Sequence, residues 1–540
     1  MTTRSRDDVT VERRHLLLLT LSWVAAILVV NPTGDFPILD DWSYGQAVRT
    51  LVTERVWRLT DWTSVPVGPQ VLWGALFSLP AGFSFGALRS SILVLSWVGA
   101  IGVYRLLRAC DSHTSTALLG AATILFCPVV FALSYTFMTD VPTLALTVWA
   151  GLFSLRHAER ARTSTVAATV LLCVAATLVR QVGLAIAIGG AAAILAGSGG
   201  KRRYIDALMV VATPALALLA YNAYLAHSGA PFLYRSHDGD LAGLLAAGPL
   251  VVARTALARA LHVYIYVGLF LLPAAALIRW PFRRPAALAW LVVAGAAPGA
   301  IMAWRHPLPF LPNVLQNTGL NPVTVVGADH WLRTPDAVWI TLTVAAGVSA
   351  AMISGVLLAG ATTWRAQRPS SGVALCAVGI AAYLSPLLAL PALFDRYLMV
   401  PAALVLVLLS LSGAFRESPP RWRLAAATAL LAVVMAFDTT ALHDFMAFNR
   451  ARWDAVNALL AEGMAPETIE AGFEANRWLT YRAPLSYAEV ATWWTPRPSA
   501  TAVISLAGAE GWSPSATYPF SRWLGAGPGQ VYVLRQSPKD

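Results

Sequence analysis

Between residues 38 and 44 the chain reads Ile38-Leu39-Asp40-Asp41-Trp42-Ser43-Tyr44, two adjacent carboxylates followed by an indole, a hydroxyl and a phenol. Adjacent carboxylates repel one another, and partial burial beside a membrane surface raises at least one of their pKa values. Such a group can act as a general base towards a hydroxyl or an amine once geometry brings it within hydrogen-bond reach. The same pair also suits a solvated acidic loop in which Asp41 caps the helix that follows. A second element, Tyr135-Thr136-Phe137-Met138-Thr139-Asp140-Val141-Pro142, sets a lone carboxylate at the mouth of an apolar run. Thr139 or Asp140 is either an ordinary N-cap with Pro142 in the first turn, or a second acid brought near the first. The third element is basic: Arg180-Gln181 and Arg396-Tyr397 both interrupt apolar sequence. A charge at membrane depth is expensive and needs a partner or a ligand. The planar fork of arginine suits a lipid phosphate, and an internal salt bridge to Asp140 or Asp395 is the alternative.

The rest of the chain must hold these residues at a membrane. Of its 540 residues, 57% are hydrophobic and only 12% charged, about half the charge of a soluble domain. Apolar runs of spanning length recur at 16–31, 86–107, 116–134, 139–155, 164–179, 182–198, 205–225, 262–279, 286–304, 337–361, 372–390, 397–414 and 424–437, which predicts about thirteen transmembrane helices. The stretch 71–80 is apolar but ends at Pro80 and is predicted as a half-inserted or interfacial helix. Leu16 to Val30 follows Arg13-Arg14-His15 and has no small-x-small cleavage site, so it is predicted to be a retained first span.

The formal charge of +11 does not point to nucleic acid, because the basic residues form short tracts between apolar runs, such as Lys201-Arg202-Arg203 and Arg283-Arg284. Arg105, Arg108, Arg365 and Arg368 continue the pattern, which places the N-terminus in the cytoplasm by the positive-inside rule. Asp35, Asp40, Asp41, Glu54, Asp61, Asp140, Asp238, Asp240, Asp329, Asp336 and Asp395 then all lie on the outer side. The first outer loop covers 32–85 within a membrane domain of residues 1–437, and residues 438–540 lie outside. That tail is polar and Trp-rich. Arg452 to Met464 reads as an amphipathic helix, and 502–506 and 530–534 read as strands, which predicts a small outer α/β domain.

Cys110, Cys127, Cys173 and Cys376 lie in or beside apolar runs without metal-ligand spacing, so neither disulfides nor a structural zinc site is expected. His227, His237, His262, His306, His330 and His443 fall on the outer side without a partner at i+4. Trp42, Trp57, Trp62 and Trp331 read first as interface-belt residues, with stacking on a sugar as the second reading.

Taken in order, Asp40-Asp41-Trp42-Ser43-Tyr44, Thr139-Asp140-Val141-Pro142 and Arg396-Tyr397 resemble the motifs of the GT-C superfamily of membrane glycosyltransferases. The resemblance is to the protein O-mannosyltransferase and aminoarabinose (lipid A) transferase families in particular. It covers topology over about the first 440 residues and implies an all-α polytopic membrane fold with a small extracytoplasmic α/β domain. The His-Pro-Pro-Leu-like element of those families is replaced by Val67-Gly68-Pro69-Gln70, and the second acid is Asp41 rather than Glu. The resemblance implies transfer of a sugar from a polyprenyl-phosphate donor to an envelope acceptor on the outer face of a bacterial inner membrane. It assigns Asp40 as general base, Asp41 and Asp140 as supporting acids, Arg180 and Arg396 as donor-phosphate ligands, and Tyr44 and Tyr397 as substrate contacts. No metal or cofactor is expected. A transporter or flippase is the rival reading. Against it stand the absence of paired repeats and the position of the acids at span ends. A non-catalytic scaffold presenting the tail to a partner is a third.

Overall fold

A computed structural model of the chain describes residues 6–197, 200–235, 243, 246–279, 284–312, 314–315, 322–331, 334–366, 370–389, 393–486, 489–490, 492–493, 495–524 and 529–536. His237, Asp238, Asp240, Arg283 and Arg368 lie outside the described residues. The helices are α1 (Arg6–Val30), α2 (Asp41–Thr53), α3 (Gly68–Ser78), α4 (Phe85–Ala109), α5 (Thr114–Leu125), α6 (Pro128–Ser134), α7 (Asp140–Glu159), α8 (Thr163–Val179), α9 (Leu184–Ala196) and α10 (Arg202–Ser228). They continue with α11 (Pro249–Phe270), α12 (Leu272–Ala275), α13 (Arg284–Trp290), α14 (Ala297–Arg305), α15 (Asp336–Ala366), α16 (Ser371–Ala389), α17 (Met399–Leu411), α18 (Arg421–Ala461) and α19 (Phe473–Thr480).

Each predicted span falls on a helix or a broken helix, but among the described residues fewer than the expected thirteen have the length and hydropathy of a membrane span. Among the described residues, eight helices are long and apolar enough to cross a membrane alone. The bent pair α5–α6 makes a ninth: Pro128 opens α6 and the axes meet at 62°. α8 and α9 are shorter apolar helices, joined through the 3₁₀ turn Gln181–Gly183. Glycine sets the closest approaches between helices. A Cβ on Gly189 of α9 would come within 2.6 Å of the Leu375 carbonyl of α16, so only a residue without a side chain permits that contact. The four cysteines are buried and unpaired.

The stretch expected to be half-inserted is the 11-residue helix α3, far too short to span, packed against α2, α4 and α8. Near the C-terminus the structure differs from the sequence reading. The amphipathic helix expected from Arg452 is the last part of α18, which runs unbroken for 41 residues across the expected boundary at 437 and 438. The change from lipid-facing to water-facing composition alters what the helix touches without ending it. Beyond it, four strands make one sheet in the order β1-β2-β4-β3: Ile469–Glu470, Ala502–Ser505, Trp512–Phe520 and Gly529–Gln536 for β1 to β4. β1 pairs parallel to β2, while β4 lies antiparallel to both β2 and β3. The expected strands at 502–506 and 530–534 are β2 and β4. β3 was not foreseen because Pro514, Pro519 and three small polar residues mask its alternation.

One buried arginine fixes the first loop to this frame. Arg89, in the second turn of α4, is 1% exposed. Its Nε donates to the Tyr135 carbonyl at 3.0 Å, Nη1 to the carbonyls of Pro32 and Gly34 at 2.5 and 3.1 Å, and Nη2 to that of Phe36 at 3.0 Å. The guanidinium also lies over the Phe36 ring at 4.9 Å. A single rigid fork therefore ties the start of the loop to the segment ahead of α7.

Replacing Arg89 by Leu leaves four carbonyls without this donor, two of them (Tyr135 and Phe36) buried and each of those worth about 1–3 kcal/mol. We expect a lower melting temperature in detergent-purified protein, with Arg89→Lys falling between Leu and the parent because ammonium cannot reach all four acceptors.

Candidate active site

The two acids of the first motif are separated by their surroundings. Leu39 adopts a left-handed backbone (φ 56°), a strained conformation for a branched apolar residue, and so turns the chain sharply into α2. Asp41 lies in the first turn, 2% exposed, and its Oδ1 accepts the backbone N–H of Phe137 at 2.6 Å. The Ile38 N–H and the charge of Arg89 also favour its ionised form, but burial outweighs them and pushes its carboxyl well above the usual range. Asp40, in the cap position of α2, makes no side-chain cap bond. Its Oδ1 accepts the indole N–H of Trp62 at 2.7 Å, and it is only partly buried. Desolvation raises its pKa. Arg396 and the Trp62 bond pull it back, and Asp140 and Glu474 push it further up.

The second motif is held by the first. Phe137 gives its N–H to Asp41, and its carbonyl accepts Gln70 Nε2 at 2.5 Å. Gln70 belongs to the Val67-Gly68-Pro69-Gln70 element, whose Val67 is also left-handed (φ 55°). Two separated stretches thus converge on the backbone of one residue, Phe137, and set the start of α7. Asp140 follows in the first turn of α7, 4% exposed. Its Oδ1 is paired with Arg180 Nη1, while its Oδ2 is buried with no hydrogen-bond partner. Arg180 also donates to Thr139 Oγ1 at 3.2 Å and stacks over the Tyr397 ring at 4.6 Å. The alternative posed for this arginine, an internal salt bridge to Asp140, is the arrangement observed.

Arg396 is different. It is half-buried beside Phe394 and Tyr397, with ring distances of 5.1 and 5.7 Å, and its Nε has no hydrogen-bond partner. Its neighbour Asp395 faces away, accepting the backbone N–H groups of Val314 and Leu315 at 3.2 and 2.6 Å. Arg396 instead lies within electrostatic reach of Asp140, Asp40, Tyr44 and Tyr397. The seven candidate residues therefore meet at one end of the bundle, although 356 positions separate Asp40 from Arg396 (396 − 40). One face of that cluster offers a carboxylate, Asp40, and an uncommitted guanidinium, Arg396.

Four further residues were not legible beforehand. Trp62 looked like one interface tryptophan among several. Gln70 stood where a family motif is lost. Tyr383 of α16, 5% exposed, joins the cluster within reach of Arg180 and Asp140. Glu474 of α19 comes near Asp40 while its Oε1 accepts Arg452 Nη1 at 2.9 Å. Arg89 did carry a signal, since a lone charge so near the start of an apolar helix needs a partner. By contrast, His443 stacks on Trp523 at 3.7 Å and pairs with Asp444 at 3.0 Å, an anchor for the tail.

Residues 65–227 match the family model described as dolichyl-phosphate-mannose-protein mannosyltransferase. The matched segment includes Asp140 and Arg180 and stops short of Asp40 on one side and Arg396 on the other. Comparison with curated proteins gives no match. Among solved structures, the chain is similar to aminoarabinose transferase ArnT from Cupriavidus metallidurans bound to undecaprenyl phosphate, with 12% identity, 97% of this chain and 98% of that one covered, and a TM-score of 0.44. It is also similar to the Archaeoglobus fulgidus oligosaccharyltransferase, at 13% identity, with 88% and 61% covered and a TM-score of 0.41. The Saccharomyces cerevisiae protein O-mannosyltransferase Pmt1-Pmt2 complex bound to the sugar donor is similar at 14% identity, with 43% and 35% covered and a TM-score of 0.31. At such scores these likenesses carry no argument. The chain spans only 35% of the yeast protein and 61% of the archaeal one. The family match covers 163 of the 540 residues (227 − 65 + 1), and over that segment the chain is similar to the mannosyltransferase family.

The shared grip on Phe137 predicts coupling. Gln70→Leu and Asp41→Asn each weaken one bond to the backbone of the same residue, at about 1–3 kcal/mol apiece. The double variant should lose less than the sum in thermal melts of purified protein, because the second change acts on a segment already released.

Proposed function

We propose that the chain transfers a sugar from a polyprenyl-phosphate donor to an envelope acceptor on the outer face of the membrane, with inversion at the anomeric carbon. The observation that carries this reading is the electrostatic proximity of Asp40 and Arg396: a partly buried carboxylate within reach of a guanidinium whose Nε is without a partner. Asp40 takes the proton from an acceptor hydroxyl or amine as its heteroatom bonds to the anomeric carbon. The bond from that carbon to the phosphate oxygen breaks, and polyprenyl phosphate leaves with the electron pair. Arg396 faces the charge that grows on the departing phosphate and stabilises it more in the transition state than in the ground state. Arg180, neutralised by Asp140, is a weaker candidate for that phosphate than its isolated sequence suggested. Asp140 Oδ2 is free to accept a hydroxyl from donor or acceptor. Asp41 acts through the backbone it holds, and Tyr44 and Tyr397 border the same space.

The family match to residues 65–227 supports the donor class, since its described substrate is a sugar on a prenyl phosphate. Basic tracts on the opposite loops support a cytoplasmic N-terminus and an outer C-terminal segment. A transporter would require the acids to line a path at mid-depth, and these lie at helix ends.

Asp40→Asn should abolish release of polyprenyl phosphate from polyprenyl-phosphate monosaccharides in proteoliposomes while leaving folding and melting intact. Full activity in that variant, with a donor the parent accepts, sinks the base assignment. Arg396→Ala should lower kcat/KM for donor by about a hundredfold or more, the range for loss of one preorganised charge-stabilising group. The pH profile follows from the raised Asp40 pKa. The base must be ionised, so kcat/KM should fall as pH drops through a midpoint above the ordinary carboxylate range of about 4.

A further inference from the structure

Nothing in its own helix fixes the Asp40 side chain. It occupies the cap position of α2 without accepting a cap hydrogen bond, and the hydrogen bond its carboxylate does accept comes from Trp62, 22 residues later. Trp62 sits in the stretch between α2 and α3, with no helix to hold it. Its ring is instead gripped by aromatic side chains of the C-terminal segment. Trp493 lies 4.7 Å away and Phe473, the first residue of α19, 5.6 Å away, with Trp42 behind them at 6.4 Å. The preceding residue is tied to the same segment: the Asp61 N–H donates to Tyr481 Oη at 2.9 Å, and Asp61 Oδ2 accepts the Leu485 N–H at 3.1 Å.

We infer that Trp62 is a positioning residue for Asp40 and that the C-terminal segment sets the reactive carboxylate through it, so that sugar transfer requires this segment docked on the first loop. The inference rests on Asp40 being the base. The indole N–H fixes one carboxylate oxygen, leaving the other to face the acceptor, and it favours the ionised form. The charged and titratable groups that face Asp40 are Arg396, Asp140, Glu474, Tyr44 and Asp41. None of them is changed by altering Trp62.

The test is Trp62→Phe, which keeps an aromatic ring in that setting while removing the N–H and trimming the ring, assayed in proteoliposomes with polyprenyl-phosphate monosaccharides. We expect kcat to fall about ten- to a hundredfold with little change in donor KM. The acid limb of kcat/KM should move about one unit to higher pH, because an ionised carboxylate that loses a donor becomes harder to form. Trp493→Ala should reproduce both effects in weaker form, by loosening Trp62. Melting temperature and polyprenyl-phosphate binding of Trp62→Phe serve as controls for folding. If Asp40→Asn is inactive while Trp62→Phe matches the parent in kcat and pH profile, the inference fails and the base assignment stands. If Trp62→Phe shows the shift and Trp493→Ala does not, the part assigned to the C-terminal segment is overturned. If Asp40→Asn is fully active, the base assignment itself falls.

Discussion

Charge taken out of water is the constraint around which this end of the molecule is arranged. Three carboxylates and three guanidinium groups converge where helices leave the apolar layer, and each must be compensated or remain a heavy burden on folding. Two of the three couples are closed. Arg89 spends its donors on four loop carbonyls beside Asp41, and Asp41 in turn accepts backbone N–H groups. Arg180 and Asp140 are locked together by direct contact. Asp40 and Arg396 form the open couple, near enough to stabilise one another and not joined by an ion pair.

The closed couples explain why the open one is held. Asp41 and Gln70 grip the backbone N–H and C=O of Phe137, and α7 starts from there with Asp140 in its first turn. Two motifs that look like independent sets of reactive groups are thus mechanically one. The second aspartate of the first motif serves as a clasp for the second motif, and the loss of a family element at residues 67–70 is answered by a glutamine that does equivalent holding work.

How much of this was legible in the sequence follows from the range of the forces involved. Spans announce themselves through runs of apolar residues, and the sidedness of Asp40, Asp140, Arg180 and Arg396 follows from the basic tracts. That reading put these residues at one end of the bundle, where the structure also gathers them. Which of them pair is decided by contacts over tens to hundreds of positions, so Arg180 could be assigned either to a phosphate or to Asp140, and only packing selects between these. Trp62 carries no local mark that separates it from Trp57, because its partners Phe473 and Trp493 lie some four hundred residues away. The unbroken course of α18 was hidden because composition reports surroundings, and the helix passes through a change of them without ending, while the prolines and small polar residues of β3 hid its alternation.

The course of α18 has a mechanical consequence. A helix of 41 residues is a rod about 60 Å long. It begins among the spanning helices and ends against the sheet, with Arg452 fully buried and joined to both Glu474 and the Ala471 carbonyl. A bulky substrate therefore cannot be admitted by swinging the C-terminal segment on a hinge at its root, since there is no hinge there to bend. Any opening would therefore have to come from irregular backbone elsewhere, such as the left-handed turn at Leu39. The enzyme would breathe at its lips, with its jaw fixed.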